Sequence, residues 1–337
     1  MNKTITILRG DGIGPEITDA TLRVLEALGC GLVFEFAHAG VSALEEQGSL
    51  LPTTTLESIT RNRVALKGPL TTPIGEGFSS LNVDLRRRFD LYANVRPALS
   101  FPNTRSRYQD IDLLIVRENT EGAYRSEGQT LSADGETAQS VIQVTRRGSE
   151  RIARYACDLA ARTGRKRITI VHKANILKTT SGLFLKTARR IAAEYPEMQV
   201  KEMIVDNACM QLVTNPHQFD VIVTTNLFGD ILSDLCAGLV GGLGLAPGAN
   251  IGSDAAIFEA VHGSAPDIAG KGIANPTALL LAAAMMLDHL ALPEAAQRLR
   301  AAVRATLEAK DRLTGDLGGS AGTEAFADAV VERVRGS

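Results

Sequence analysis

An α/β fold with an at least partly parallel sheet is predicted for this chain by three observations. Short apolar runs bounded by turn residues alternate with helical patterns along the whole sequence. Aromatic residues make up only 4% and Trp is absent, poor material for a β-sandwich core. The 31 glycines suit the many strand–helix turns that alternation requires.

The elements follow in order. Ile5–Leu8 reads as a strand, turned by Gly10-Asp11-Gly12-Ile13-Gly14-Pro15-Glu16 into a helix over Glu16–Leu28. Further buried strands are expected at Arg63–Lys67, Asp112–Val116, Ile168–Val171 and Asp220–Thr224, and further helices at Ser149–Thr163, Gly182–Tyr195 and Leu227–Leu239. The Ala- and Leu-rich last third is helical: Thr277–Leu290, Pro293–Lys310 and Thr323–Arg335. Glu127–Val144, with glycines and hydroxyl residues between β-branched ones, reads as an exposed hairpin arm.

Composition excludes several function classes. The 337 residues suffice for two domains, and 45% hydrophobic against 22% charged residues is ordinary for a chain that buries a large core. A net charge of −2 lacks the basic excess of nucleic-acid or membrane-surface binding. Cys30, Cys157, Cys209 and Cys236 form no CxxC pair, so neither a zinc knuckle nor a disulfide framework is expected. Met1–Leu8 carries no signal segment, and the most apolar stretch, Ala278–Leu287, is half of the ~20 residues a membrane span needs. The expectation is a soluble, cytoplasmic protein.

Several motifs admit both a plain and a chemical reading. Gly10–Glu16 is a tight turn with Pro15 pre-set to start a helix, or a pyrophosphate contact; its GxGxG spacing is not the Rossmann fingerprint. Asp230 and Asp234, at i and i+4, share one helical face at the end of a strand. They form a solvated acidic face, or an oxygen-ligand pair for Mg²⁺ or Mn²⁺ that relieves their mutual repulsion. Arg86, Arg96 and Arg117, near Ser80 and Asn82, present guanidinium forks suited to carboxylates, or simply occupy helix and strand ends. Lys173 and Tyr124 are candidate proton-transfer groups or ordinary surface and packing residues; His262 and Asp267 sit on a loop that is a plain turn or a ribose acceptor.

Taken together, these segments resemble the β-decarboxylating dehydrogenases, which include isocitrate, isopropylmalate and homoisocitrate dehydrogenases. The resemblance rests on GDGIGPE (10–16), KGPLTTP (67–73), SLNVDLRRRFDLYANVRP (80–97), RENTEG (117–122), HKAN (172–175), NLFGDILSD (226–234), VGGLGLAPGANIG (240–252) and HGSAPDIAGKGIANP (262–276). It implies an α/β, isopropylmalate dehydrogenase-like two-domain fold with a shared mixed sheet, not a Rossmann fold. Residues 1–96 and 249–337 would form the large domain; 97–248 would form the small domain, with most of a homodimer interface and the interlocking hairpin arm.

The same resemblance implies the site. Ser80 and Asn82 would contact the γ-carboxylate of isocitrate, and Arg86, Arg96 and Arg117 would be the carboxylate-binding arginines, with Asn175 in the HKAN block alongside. Isopropylmalate enzymes carry apolar residues at Ser80 and Asn82; homoisocitrate dehydrogenase shares the LRRR-DLYANVRP block and is the competing substrate assignment. Asp230, Asp234 and Asp206 of the partner subunit would hold Mg²⁺ or Mn²⁺. Lys173, also from the partner, would remove the hydroxyl proton and Tyr124 would reprotonate the enolate. Thr72 would lie near the nicotinamide, and His262, Gly263, Ser264, Ala265, Asp267, Ile268 and Asn275 would form the adenosine loop. With Asp267 and Ile268 where NADP enzymes carry Lys and Tyr, NAD is the expected cofactor. Asp316-Leu317-Gly318-Gly319 resembles a family motif without an assigned role. A regulatory subunit is the non-enzyme alternative, disfavoured because every implied site position holds a competent residue.

Overall fold

The protein is described from a computed structural model covering residues 3–72, 80–104, 106–125 and 127–336. The first strand, β1 (Lys3–Leu8), passes into α1 (Gly14–Leu28) through glycines 10 and 12, both at positive φ, with Pro15 in the first helical turn. A Cβ on Gly12 would sit 2.0 Å from the Ser264 carbonyl oxygen, so the turn lies flat against the 262–276 loop.

The chain continues through β2 (Leu32–Ala37), α2 (Val41–Gln47), α3 (Thr53–Asn62), β3 (Val64–Lys67), α4 (Leu81–Arg88), β4 (Ala93–Leu99) and β5 (Asp112–Glu118). An exposed hairpin of β6 (Thr130–Leu131) and β7 (Ala138–Gln139) precedes α5 (Arg146–Arg162), which is capped by Thr145, whose hydroxyl accepts from the Gly148 amide at 2.9 Å. Then come β8 (Arg167–His172), α6 (Thr180–Ala192), β9 (Gln199–Ile204), α7 (Val205–Thr214), β10 (Val221–Thr224), α8 (Asn226–Leu239), β11 (Pro247–Ile251) and β12 (Ala256–Ala260). Three helices close the chain: α9 (Thr277–His289), α10 (Pro293–Ala309) and α11 (Thr323–Arg335).

Ten strands form one mixed sheet in the order β2-β1-β3-β12-β11-β4-β5-β10-β8-β9. Parallel pairing holds on both flanks, while β12, β11, β4 and β5 pair antiparallel across the centre. The half ending at β2 is built from residues 3–99 and 247–260, the other half from 112–224. The expected domain cuts at 96/97 and 248/249 both fall inside strands, β4 and β11, which are neighbours.

Side chains alternate across a sheet, and here the alternation divides the central strands by polarity. Asn94, Arg96, Arg117, Asn250, Glu259 and Lys67 share one face through the pairings Asn94↔Arg117, Asn250↔Asn94 and Glu259↔Lys67. Val95, Leu114, Ala249, Ile251 and Phe258 occupy the opposite face.

Five strands, β2, β4, β9, β11 and β12, lack the plain apolar run that marks the others. β4 and β11 carry Asn and Arg at the site-facing positions; β2 and β9 are sheet edges with charged, partly exposed residues; β12 interrupts its run with the buried Glu259. α2, α3 and α7 are short helices with few buried positions, too weakly patterned to stand out. Among the described residues no helix is long and apolar enough to cross a membrane.

α9 is apolar on all sides and buried against the sheet and its neighbouring helices. Leu280, with no exposure, is predicted to cost about 2–5 kcal/mol when replaced by Ala. Urea unfolding of Leu280→Ala checks this; a loss below 1 kcal/mol, on the scale of a surface change, would contradict the packing.

Candidate active site

Three guanidiniums converge on the polar face of the sheet. Arg117, next to last in β5, is fully buried; its Nε and Nη2 donate to Asn226 Oδ1 at 3.1 and 2.7 Å, and Nη1 donates to Asp230. α8 can lie this close because residue 229 is glycine: a Cβ there would stand 2.5 Å from Arg117 Cγ. Arg96, from β4, donates through Nη1 to Ser233 Oγ at 2.7 Å and to Asp234 Oδ1 at 3.1 Å, and stands 3.3 Å from Asp230 Oδ1. Arg86, from the last turn of α4, is buried beside them, with Nη2 3.9 Å from Glu259 Oε1. Burial and mutual repulsion pull the pKa values of Arg86 and Arg117 below the ordinary arginine value.

Tyr124 closes the cluster. Its hydroxyl donates to Asp230 Oδ2, and the Arg117 guanidinium carbon lies 4.9 Å from its ring centroid. Burial and the Asp230 carboxylate raise the phenol pKa. Burial would raise Asp230, but Arg117, the Tyr124 hydroxyl, Arg96 and Arg86 together hold its carboxyl below the ordinary value.

Beneath the arginines runs a buried polar chain that sequence patterns did not single out. Lys67 Nζ and Glu259 Oε2 are 2.7 Å apart, and Glu259 Oε1 accepts from Asn250 Nδ2 at 2.7 Å. Asn250 Oδ1 in turn accepts from Asn94 at 2.9 Å and Asn119 at 3.0 Å. Burial opposes the charge on Glu259, yet Lys67 and Arg86 hold its carboxyl down at about 2. Lys67, Asn94, Asn119 and Asn250 each stand in a family-like block, but they meet one another and Glu259, which stands in none, only across the sheet.

At the start of α4, Ser80 is exposed, whereas Asn82 Oδ1 is buried without a hydrogen-bond partner among the described residues. Thr72 Oγ1 accepts from the Leu81 amide at 3.2 Å, tying the 67–72 loop to that helix. Asp11 fixes the same loop: its carboxylate accepts from the amides of Thr71 (2.7 Å), Val41 and Ser42 (both 3.1 Å). In this chain the acidic residue of the glycine turn is thus an internal staple.

A cavity of about 610 Å³ is lined by His262, Gly263, Ala265, Ile268 and Asn275, together with Ile13 and Asp316. Burial lowers the His262 pKa. Asn275 Nδ2 donates to Asp316 Oδ2 at 3.0 Å, placing the C-terminal Asp-Leu-Gly-Gly motif beside the loop. Ser264 is not among the lining residues, but its Oγ accepts from Thr71 Oγ1 at 2.7 Å; Asp267 is also off the lining and exposed.

Lys173 and Asp206 pair with each other, and Asn175 lies in the turn after β8. Within the single chain, Asp206 does not complete a metal-holding group with Asp230 and Asp234: among the described residues no three His, Cys, Asp or Glu converge.

The family profile described as isocitrate/isopropylmalate dehydrogenase matches residues 4–330. The chain belongs to this family. It is 54% identical to the isocitrate/homoisocitrate dehydrogenase of Thermus thermophilus, covering 98% of both chains. It is 49% identical to the isocitrate dehydrogenase (NAD) catalytic subunit 5, mitochondrial, of Arabidopsis thaliana, covering 98% of this chain and 88% of that one. A crystal structure of isocitrate dehydrogenase from Methylococcus capsulatus superposes with a TM-score of 0.95 at 56% identity, covering 99% of each chain. The fold expectation, an α/β dehydrogenase of this family rather than a Rossmann protein, is thereby met. The cytoplasmic expectation is corrected: eukaryotic relatives of this similarity are named mitochondrial and bacterial ones stand beside them, so kinship assigns no compartment. Regulatory as well as catalytic subunits occur among the relatives.

The buried ion pair generates a stability prediction. Glu259→Gln leaves Lys67 uncompensated and is expected to cost about 3–5 kcal/mol in chemical denaturation at pH 7. The carboxyl lies lower in the folded chain, about 2, than its ordinary 4.5, so its contribution is complete above pH 4.5 and fades as pH falls toward 2. Wild type and variant should therefore converge in acid; a gap constant from pH 7 to 3 would contradict this assignment.

Proposed function

We propose that this chain is a catalytic, NAD-dependent isocitrate dehydrogenase that oxidatively decarboxylates isocitrate to 2-oxoglutarate and CO₂, acting as a homodimer. One observation carries the proposal: four buried cations, Lys67, Arg86, Arg96 and Arg117, face three carboxylates, Glu259, Asp230 and Asp234. The excess is one positive charge, and a divalent cation raises it to three, the charge a tricarboxylate cancels. The all-oxygen pair one helical turn apart suits a hard cation. A dicarboxylate with an isopropyl group would leave that charge unbalanced and Asn82 Oδ1 facing hydrocarbon, at roughly 1–3 kcal/mol for the unmet polar group.

In this proposal Arg86, Arg96 and Arg117 orient the substrate carboxylates, with Ser80 and Asn82 at the γ-carboxylate and Asn175 nearby. Mg²⁺ or Mn²⁺, held by Asp230, Asp234 and Asp206 of the partner subunit, would supply Lewis-acid stabilisation of negative charge developing on the substrate. Lys173 of the partner subunit takes the hydroxyl proton. Tyr124, kept protonated by burial and Asp230, gives its proton to the carbon that CO₂ leaves. NAD would accept the hydride, with Thr72 near the nicotinamide and the 262–276 loop, including Gly263, Ser264 and Ala265, around the adenosine. Asp267 repels a 2′-phosphate. The large domain comprises residues 1–96 and 249–337 and the small domain 97–248; the 127–144 hairpin reaches the partner. A homoisocitrate activity is the second reading, favoured by the Thermus relative's double name.

Two expected outcomes follow. In steady-state assays with NAD and Mg²⁺, kcat/KM for isocitrate should exceed that for homoisocitrate; the reverse order would move the assignment to the longer substrate. The double variant Asp267→Lys/Ile268→Tyr should shift the NAD:NADP ratio of kcat/KM toward NADP by roughly tenfold or more, the equivalent of one lost charge-assisted hydrogen bond. A wild type that already prefers NADP, or an unmoved ratio, would remove Asp267 from cofactor choice.

A further inference from the structure

A second cavity, of about 490 Å³, lies on the face of the sheet opposite the arginines. Its floor consists of Val95, Leu114, Ala249, Ile251 and Phe258, the residues that alternate with Arg96, Arg117, Asn250 and Glu259. α5 supplies one wall through Tyr155, Leu159 and Arg162; α9 supplies the other through Met285, Asp288 and His289. A hollow of similar volume continues it past Pro97 and Met285. The volume falls within the roughly 300–1,000 Å³ of small-molecule sites.

The lining has a chemical direction. Phe258 and Tyr155 offer aromatic surface, and the His289 ring lies 5.6 Å from that of Phe258. Arg300 is engaged by Asp288. Arg162 is exposed, lines the cavity, and has no carboxylate within ion-pair distance among the described residues. Its delocalised, weakly hydrated guanidinium can both stack on a flat ring and pair with an anion.

We propose that this cavity is a second ligand site, separate from the substrate cleft, that takes a planar aromatic anion between α5 and α9, with its ring on the apolar floor and its negative charge on Arg162. The site reaches the chemistry through one layer of backbone. Val95 is on the floor and Arg96, the next residue, is in the arginine cluster; Leu114 and Arg117 are similarly placed on β5. A ligand wedged between α5 and α9 therefore acts on the two strands that carry Arg96 and Arg117 without occupying the substrate's place.

Fluorescence titration of the purified full-length protein with 8-anilinonaphthalene-1-sulfonate, with and without saturating isocitrate and Mg²⁺, tests the site without requiring turnover. One saturable site per chain is expected, undisplaced by isocitrate, weakened roughly tenfold by Arg162→Glu and abolished by Leu159→Trp, which fills the cavity from its wall. Melting temperatures of both variants establish that they fold; if Leu159→Trp does not, Arg162→Glu, at an exposed position, decides alone. Non-saturating binding, displacement by isocitrate, or affinity unchanged in Arg162→Glu would overturn the proposal. Because binding is read directly, a failure here leaves the catalytic assignment untouched, and a different preferred substrate leaves the cavity untouched.

Discussion

Burying Arg86, Arg96, Arg117 and Lys67 on one face of a sheet is the constraint from which much of the central architecture follows. Each cation would be costly to desolvate alone, and each has acquired a dedicated answer. Glu259 answers Lys67 and, at longer range, Arg86; Asp230 answers Arg117 and Arg96; Asp234 and Ser233 complete the contacts of Arg96. The glycine at 229 and the asparagine at 226 exist within the same requirement: one lets α8 approach, the other gives the Arg117 fork an uncharged acceptor. Neutralisation remains incomplete, and a pocket with surplus positive charge attracts anions.

The mixed pairing at the centre of the sheet makes this economical. Because β12, β11, β4 and β5 lie side by side, residues distant in sequence share one pleated face, and two-residue periodicity keeps Asn94, Arg96, Arg117, Asn250 and Glu259 off the face that carries Val95, Leu114, Ala249 and Phe258. Val95 and Arg96 differ by one residue and inhabit opposite environments. A one-residue slip of β4 would place Arg96 in the apolar core and a valine in the arginine cluster, so register here is fixed by charge as much as by hydrophobicity.

Legibility from sequence followed the range of the interactions. The turn at 10–16 was readable because glycine and proline act locally, and α11 because its amphipathic repeat and flanking glycine lie within a few residues. The i,i+4 aspartates and the three arginines were readable as residue types with a purpose. β4 was not readable as a strand, since its Asn and Arg break the apolar run for the sake of the site. Lys67, Glu259 and Asp316 were invisible as partners because their contacts arise only from pairing or loop packing across long sequence separations. Lys173 was readable as a lysine at a strand end, whereas Asp206, which pairs with it here, was legible only by resemblance.

Both domain boundaries inferred from resemblance pass through neighbouring hydrogen-bonded strands instead of linkers. A door on a flexible strap gives up chain entropy whenever it shuts and regains it whenever it opens. In a molecule joined through β4 and β11, any twist of one end against the other would have to pass along strands that are already paired, and paired strands store a twist as elastic strain where a strap would absorb it as slack.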